Sequence, residues 1–285
     1  MSTLGTQIRL SRIINNKTQR SFCVAMDHAL HLGSSKGLEH PETVLDAMAE
    51  AGVDGVILSL GSALRYGAHL VRNGGPALIL RLDQTTMWRE GTDLDYKDGH
   101  TRLVASVNDA IALGADAVIN YMFVGHNDPA EETIAFRSTS EVNAAARAAG
   151  VVHIIETMGA RHALAKNIND GAFVAFHARI GAEMGADIIK TDWPGSTEKL
   201  RSIVAQSPVP VMLAGGPRGK SDRGTIELVS SVVKAGAAGI LFGRSVFEAN
   251  EPLAVMRACR AIVHDNCSVD DAIEAVGFHA LPLTA

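Results

Sequence analysis

One lysine carries more chemical information than any other residue of the chain. Lys190 closes the run Asp187-Ile188-Ile189-Lys190 in phase with Ile188, so a strand that turns Ile188 into a core turns Lys190 the same way. Enclosure in apolar surroundings disfavours an ammonium, and a neutral amine attacks carbonyl carbons to form a Schiff base. The plainer reading is a strand-end lysine that reaches out to solvent. A second feature is glycine beside positive charge: Gly215-Gly216-Pro217-Arg218-Gly219-Lys220, then Gly243-Arg244-Ser245. Such loops let backbone N–H groups approach an anion, with Arg218, Lys220 and Arg244 adding charge. Turn glycines beside surface arginines are the alternative.

Other candidates are Asp27-His28 and Asn120-Tyr121, each after an apolar run. A histidine at such a place suits proton transfer near neutral pH. The phenol of Tyr121, with an ordinary pKa near ~10, is the poorer base. Asp27, His28, His31 and His126 are the residues that could meet around a metal. No H-E-x-x-H or close Cys/His cluster occurs, so no metal is expected. A G-x-S-x-G elbow is also missing. Trp88 and Trp193 read as packing residues, with Trp193 close enough to Lys190 to wall a pocket.

These residues need strands to hold them. A glycine in a small-residue context precedes an apolar run four times, at Gly52, Gly114, Gly185 and Gly236. Each glycine suits the left-handed end of a helix, and each run suits a buried parallel strand. Four more runs lie at Phe22–Met26, Ala77–Leu82, Val151–Ile155 and Val209–Leu213. Helical patterns separate the eight at Pro41–Ala51, Arg102–Leu113, Ser138–Ala149, Phe173–Met184 and Ile226–Ala235, with Pro252–His264 and Ser268–Val276 after the last. The alternation predicts a single (β/α)8 barrel over residues 1–285, with short helical extensions at both ends. An open doubly wound sheet is the runner-up, but no G-x-G-x-x-G follows the first run. In a barrel the site lies at the C-terminal ends of the strands, where the residues named above fall.

Composition narrows the classes. The chain has 285 residues, 47% of them apolar and 20% charged, which excludes a disordered protein. A formal net charge of −5 offers no excess to hold a nucleic acid backbone. An anionic small molecule therefore requires a local basic pocket. Cys23, Cys259 and Cys267 form no disulfide framework, and a cytoplasmic setting is expected. No run is long enough to span a membrane. Arg9, Arg12, Lys17 and Arg20 accompany no apolar signal core, and this segment reads as a short amphipathic closure of one end of the domain.

Several stretches together resemble the DhnA-type, or archaeal-type, class I fructose-bisphosphate aldolases within the DeoC/FbaB group. They are Ile8-Arg9-Leu10-Ser11-Arg12-Ile13, Val24-Ala25-Met26-Asp27-His28, Glu183 to Thr191, Pro208 to Pro217, and Gly243-Arg244-Ser245-Val246-Phe247, followed by the end helix through His264. The C-terminal half also resembles the autoinducer-2 thiolase branch. The resemblance implies a Schiff-base lysine at Lys190 and places Asp27 in the active site. It also implies phosphate held by Gly215, Gly216, Gly243 and Arg244, and a homo-oligomer built of rings, often a decamer. The chain departs from the pattern where those aldolases carry a tyrosine proton donor in Tyr-Pro-Arg-Gly. Here Glu156-Thr157-Met158-Gly159-Ala160-Arg161 puts Met158 in that place, and Met-Asp-His-Gly becomes Met26-Asp27-His28-Ala29.

The expected activity is a metal-independent, cofactor-free lyase of carbohydrate metabolism. It cleaves or forms a C–C bond in a phosphorylated ketose or related keto compound. In that reading Lys190 forms the iminium, His28 or Tyr121 moves the proton, and Asp27 orients a hydroxyl. The basic loops, with Arg218, hold the phosphate. One rival is a thiolase that uses coenzyme A as co-substrate on a phosphorylated diketone. The other is a non-catalytic barrel that binds sugar phosphates.

Overall fold

A computed structural model describes residues 3–90, 92–96, 99–160, 167–215 and 221–277. Among them eight parallel strands close into a barrel, in the order β1 (Ser21–Ala25), β10 (Gly239–Phe242), β9 (Val211–Ala214), β8 (Ile188–Thr191), β7 (Val152–Gly159), β6 (Ala117–Val124), β3 (Ala77–Arg81) and β2 (Gly55–Ser59). All eight expected runs are strands, and the open-sheet alternative is excluded by the pairing of β1 with β10. Closure needs a glycine at Gly239. Its φ is +141°, and a side chain there would overlap the backbone of Ser21.

The strands are buried on both faces, so their hydropathy does not alternate, yet their phase sorts them into two cores. Outward residues such as Phe22, Val24, Val56 and Leu58 pack with helices α3 (Pro41–Ala51), α9 (Asp222–Lys234) and α11 (Pro252–Asp265). Inward residues form a second cluster, which includes Cys23, Ile57, Ile79, Ile119, Ile154 and Ile188. Helix α1 (Leu4–Ile13) closes this cluster from below. Ile13 and Ile14 join it, while Arg12 Nη1 donates to Asp116 at 3.0 Å and Arg9 Nη1 donates to the Gly150 carbonyl at 2.9 Å. The basic N-terminal segment is thus the expected closure of one end.

Three helices begin elsewhere than expected, and α9 starts at Asp222, four residues before Ile226. The stretch Arg102–Leu113 splits: β5 (Thr101–Leu103) pairs antiparallel with β4 (Asp83–Thr85), and α5 occupies only Val107–Ala112. Ser106 sets that start through a capping box with Asp109. The excursion from β4 to β5 folds over the C-terminal end of the barrel and carries a short 3₁₀ turn, Met87–Arg89. Helix α6 (Pro129–Ala149) begins nine residues before the expected Ser138, under an Asp128 N-cap followed by Pro129. Its first turn, Pro129-Ala130-Glu131-Glu132-Thr133, holds no large apolar residue and so carries no apolar period. Helices α2 (His28–Leu32), α4 (Leu60–Tyr66), α7 (Gly171–Glu183), α8 (Thr197–Gln206), α10 (Arg244–Phe247) and α12 (Val269–Ala275) complete the described chain. None of the described helices is long and apolar enough to cross a membrane.

Candidate active site

A cavity of about 490 Å³ opens at the C-terminal ends of the strands. Lys190, Asp27, His28, Tyr121, Gly215, Gly243 and Arg244 all line it, so seven of the expected site residues come together. Gly216 and Arg218, with Pro217, Gly219 and Lys220, lie outside the described residues, as does Arg161. His126 lines a separate pocket with His100 and Glu131. Among the described residues no group of His, Cys, Asp and Glu side chains gathers as a metal site.

Lys190 is inward, in phase with Ile188 as expected, and only 5% exposed. Its register partner on β7 is Glu156, whose partner on β6 is Tyr121. Residues paired across parallel strands face the same side, so the three side chains stand in a row around the wall. Lys190 Nζ contacts Glu156 Oε1 at 2.6 Å. The other carboxylate oxygen of Glu156 accepts from Arg81, which is fully enclosed. Arg81 also donates through Nε to Asp27 Oδ2 at 2.6 Å and through Nη1 to Asp83 Oδ1 at 3.4 Å. One guanidinium therefore ties together strand ends from β1, β3 and β7. Its central carbon lies 3.9 Å from the centroid of the Tyr121 ring, a cation–π contact.

Arg81, inside the expected run Ala77–Leu82, and Glu156, just after the run Val151–Ile155, carried no expected role. The phase that singled out Lys190 applies to both, because Glu156 follows Ile154 by two positions and Arg81 follows Ile79 by two.

The electrostatics follow from burial and pairing. Burial alone would raise the Glu156 carboxyl, but Lys190 and Arg81 outweigh it and hold it below the usual carboxylate range. Asp27 behaves likewise: Arg81, His28 and His31 overcome burial and drive its carboxyl far down. Asp83 takes the longer contact with Arg81, and burial prevails, pushing it up to about 7. Burial also pushes the His28 and His31 rings down to about 4, against the opposing pull of Asp27. This corrects the expectation that His28 titrates near neutral pH: at pH 7 it is a neutral ring. Tyr121 is pushed well above 10 by burial despite Arg81, and its hydroxyl accepts from Trp88 Nε1 at 3.2 Å. Trp88, expected only to pack, also lines the cavity, as does Trp193.

Asp27 lies between two rings, with His28 Nδ1 3.9 Å from one oxygen and His31 Nε2 4.0 Å from the other. Among the described residues neither ring nitrogen has a hydrogen-bond partner. His31 Nδ1 accepts from the backbone N–H of Thr85 at 3.3 Å, which leaves the proton of the neutral ring on Nε2, facing the carboxylate. Gly215, at the end of β9, approaches Gly243 after β10, and Gly243 lies against His28. A side chain at Gly243 would overlap the His28 ring, and the buried Ser245 hydroxyl has no partner among the described residues.

A closed parallel barrel with paired charges around a cavity at its C-terminal rim has the architecture of a barrel enzyme. Residues 21–249 match the model of the DeoC/LacD family aldolases, and the chain belongs to that family. It is therefore an aldolase, a lyase, which removes the non-catalytic reading. The chain is 28% identical over 271 residues to an uncharacterized aldolase of Saccharolobus solfataricus, covering 95% of this chain and 98% of that one. It is 32% identical over 279 residues to the 2-amino-3,7-dideoxy-D-threo-hept-6-ulosonate synthase of Halobacterium salinarum, covering 97% and 98%. Among solved structures it superimposes on an archaeal fructose-1,6-bisphosphate aldolase whose catalytic lysine is covalently bound to the carbinolamine intermediate. That match has a TM-score of 0.78 at 26% identity and covers 91% of this chain and 99% of the other.

Proposed function

We propose that the protein is a class I aldolase of the DhnA-type branch, acting through Lys190 on a phosphorylated keto compound. The observation that carries the reading is the inward Lys190 with a carboxylate at 2.6 Å, at the cavity end of the barrel. The likeness to archaeal fructose-1,6-bisphosphate aldolases over nine-tenths of the chain supports the branch.

In the cleavage direction Glu156 accepts a proton from Lys190, and the amine adds to the keto carbon. The carbinolamine loses water, with Glu156 returning the proton to the departing hydroxyl. The iminium then draws the electron pair of the breaking C–C bond. A base takes the proton from the hydroxyl of the leaving carbon, which departs as an aldehyde. The enamine carbon is reprotonated, and water hydrolyses the iminium to free Lys190. Glu156 is the proton carrier best placed for these steps, in preference to His28 and Tyr121, because among the three it is the one that contacts the amine. Asp27, held by Arg81, orients the substrate hydroxyl, with His28 and His31 at its flanks. Gly215, Gly243 and Arg244 take the phosphate, with Gly216 and Arg218 as the further members proposed from sequence.

Borohydride with dihydroxyacetone phosphate tests the reading, because reduction turns the iminium into a stable amine. Mass spectrometry should find the adduct on Lys190. Lys190→Ala and Lys190→Arg should lose both adduct and turnover, since a guanidinium stays protonated. Adduct on another lysine, or turnover retained by Lys190→Ala, refutes the assignment.

A further inference from the structure

Strand β3 leaves the barrel after Arg81, which pairs with Ile119, whereas β6 runs on to Val124. Just beyond the paired stretch the Leu82 N–H donates to the Ile119 carbonyl at 3.0 Å. Two residues further along β6, an evenly spaced parallel ladder would bring the Tyr121 N–H to the Leu82 carbonyl. That carbonyl has turned instead to the chain that follows β5, where it accepts from the N–H groups of Val104 and Ala105 at 2.8 and 3.0 Å. The Tyr121 N–H lies in the barrel wall, where a donor without an acceptor is costly. Asp83 supplies the acceptor, because its Oδ2 takes the Tyr121 N–H at 2.7 Å. Its Oδ1 takes the longer donation from Arg81 Nη1. One buried carboxylate thus fills the place of a strand carbonyl and reaches the guanidinium that stacks on the Tyr121 ring. Asp83 also opens β4, from which Thr85 donates its N–H to His31 Nδ1.

We infer that Asp83 is a positioning residue of the aldol site: by standing in for the carbonyl that β3 withdraws, it holds Tyr121 and Arg81 in place against the Lys190–Glu156 pair. The inference rests on the Schiff-base reading above. Among the described residues that line the cavity are Asp27, Tyr121, Glu156 and Lys190 but neither Arg81 nor Asp83, so Asp83 acts through its neighbours. What the site requires of it is an oxygen at a fixed place more than a negative charge. Arg81 has two closer carboxylates, Asp27 and Glu156, whereas the Tyr121 N–H is bonded to Asp83. A Tyr121 released from Asp83 shifts its ring and the guanidinium stacked on it. Arg81 in turn carries the Glu156 carboxylate that faces the amine. A displacement of about 1 Å in such a site can cost about 10²-fold in rate.

Two variants separate position from charge. Asp83→Asn keeps an oxygen at the same reach and loses the charge, while Asp83→Glu keeps the charge and carries it one methylene further. The probe is dihydroxyacetone phosphate in deuterium oxide. Once the iminium forms on Lys190, a base removes a proton from the hydroxymethyl carbon to give the enamine, and a deuteron returns in its place, which mass spectrometry reads. At saturating probe, Asp83→Glu should label it about 10²-fold more slowly than wild type, and Asp83→Asn should stay within about tenfold. The half-saturating concentration should change little in either, because the phosphate loops follow β10 and β9, three and four strands round the ring from β3. A role confined to stability would not produce that split. Asp83→Asn slower than Asp83→Glu assigns the role to charge and overturns the inference, as do equal losses or two variants that match wild type. Should Asp83→Glu not fold, Asp83→Asn carries the test through hydrogen exchange at the Tyr121 amide. Protection of that amide and the labelling rate should stand or fall together, and either one lost without the other overturns the role. Borohydride trapping of the probe on wild type separates the two readings. An adduct on Lys190 with the variants in the reverse order overturns the role of Asp83 and leaves the Schiff-base reading standing. No adduct overturns that reading, and the inference falls with it.

Discussion

Two inward positions on each of four strands lie two residues apart and differ in everything chemical. Ile79, Ile119, Ile154 and Ile188 occupy the lower positions on β3, β6, β7 and β8, all within one apolar cluster. Two residues on, the same strands carry Arg81, Tyr121, Glu156 and Lys190. Backbone pairing among β6, β7 and β8 is continuous through both positions, while β3 pairs with β6 only as far as Arg81, opposite Ile119. The lower residues gain stability from shape and exclusion of water. The upper ones are tolerable in the same interior only because each charge has a partner, and removing one member leaves the others uncompensated. A buried polar row above a buried apolar row thus separates what the barrel needs for folding from what it needs for chemistry.

That separation can be attacked from either side. The largest effect is expected from Glu156→Gln, which keeps shape and loses the ionisable oxygen. Its kcat should fall about 10²- to 10⁴-fold, the usual value of positioned proton transfer, and borohydride trapping on Lys190 should slow with it, because Glu156 also serves the steps that form the iminium. An unchanged kcat would move the proton to His28 or Tyr121, and His28→Ala against Tyr121→Phe would then decide. Next comes Arg81→Met. Three carboxylates lose their common partner, and unfolding by denaturant should reveal a loss of about 3–5 kcal/mol. Stability close to wild type would mean that the guanidinium is not what holds the upper row together.

Acid should reach the polar groups before the apolar row. Burial pushes His28, His31 and His177 down to about 4 and His153 to about 3. In the unfolded chain each binds a proton near 6.5, so between pH 6.5 and 4 the unfolded state holds more protons and stability falls as pH falls. Asp83, raised to about 7, acts in the opposite sense, as do Asp116 and Asp187, which burial also raises, but His126 is lowered too and makes five histidines against three carboxyls. Denaturation midpoints at pH 7, 5.5 and 4.5 should therefore decline, and His31→Leu should make the decline shallower. A midpoint that rises on acidification would reverse the sign of this argument. The smallest effect belongs to the lower row. Ile154→Val should cost about 0.5–1.5 kcal/mol of stability and leave kcat unchanged. A fall in kcat beyond twofold would mean that the two rows are mechanically coupled.

The barrel was legible from sequence because glycine-ended helices and apolar runs repeat along the chain, and each run became a strand. The β4–β5 pair was not, since Asp83-Gln84-Thr85 is short and polar and Arg102 resembles a helix start. At the site, position alone could not separate the inward residues from their neighbours. Asn120 and Thr157 are as polar as Tyr121 and Glu156 and lie beside them in the chain. Yet Asn120 faces outward to Thr139 on α6, and the Thr157 hydroxyl lies 3.1 Å from His177 Nδ1 on α7. Counting from Ile154 and Ile79, as from Ile188, would have brought out Glu156 and Arg81. Their meeting depends on strand register and barrel closure, which no local pattern carries.

The closure between β1 and β10 also has a consequence in time. Ser21 pairs with Gly239, so the first strand off the ribosome waits for the last. At the usual 5–20 residues per second, the intervening ~220 residues take roughly 10–40 s to synthesise. Through that interval Phe22 and Val24 have not met all of their native neighbours, because α9 and α11 are also late in the chain. The nascent protein is therefore an open sheet with an apolar free edge, and the interval before Gly239 arrives is when self-association or holdase binding competes with folding.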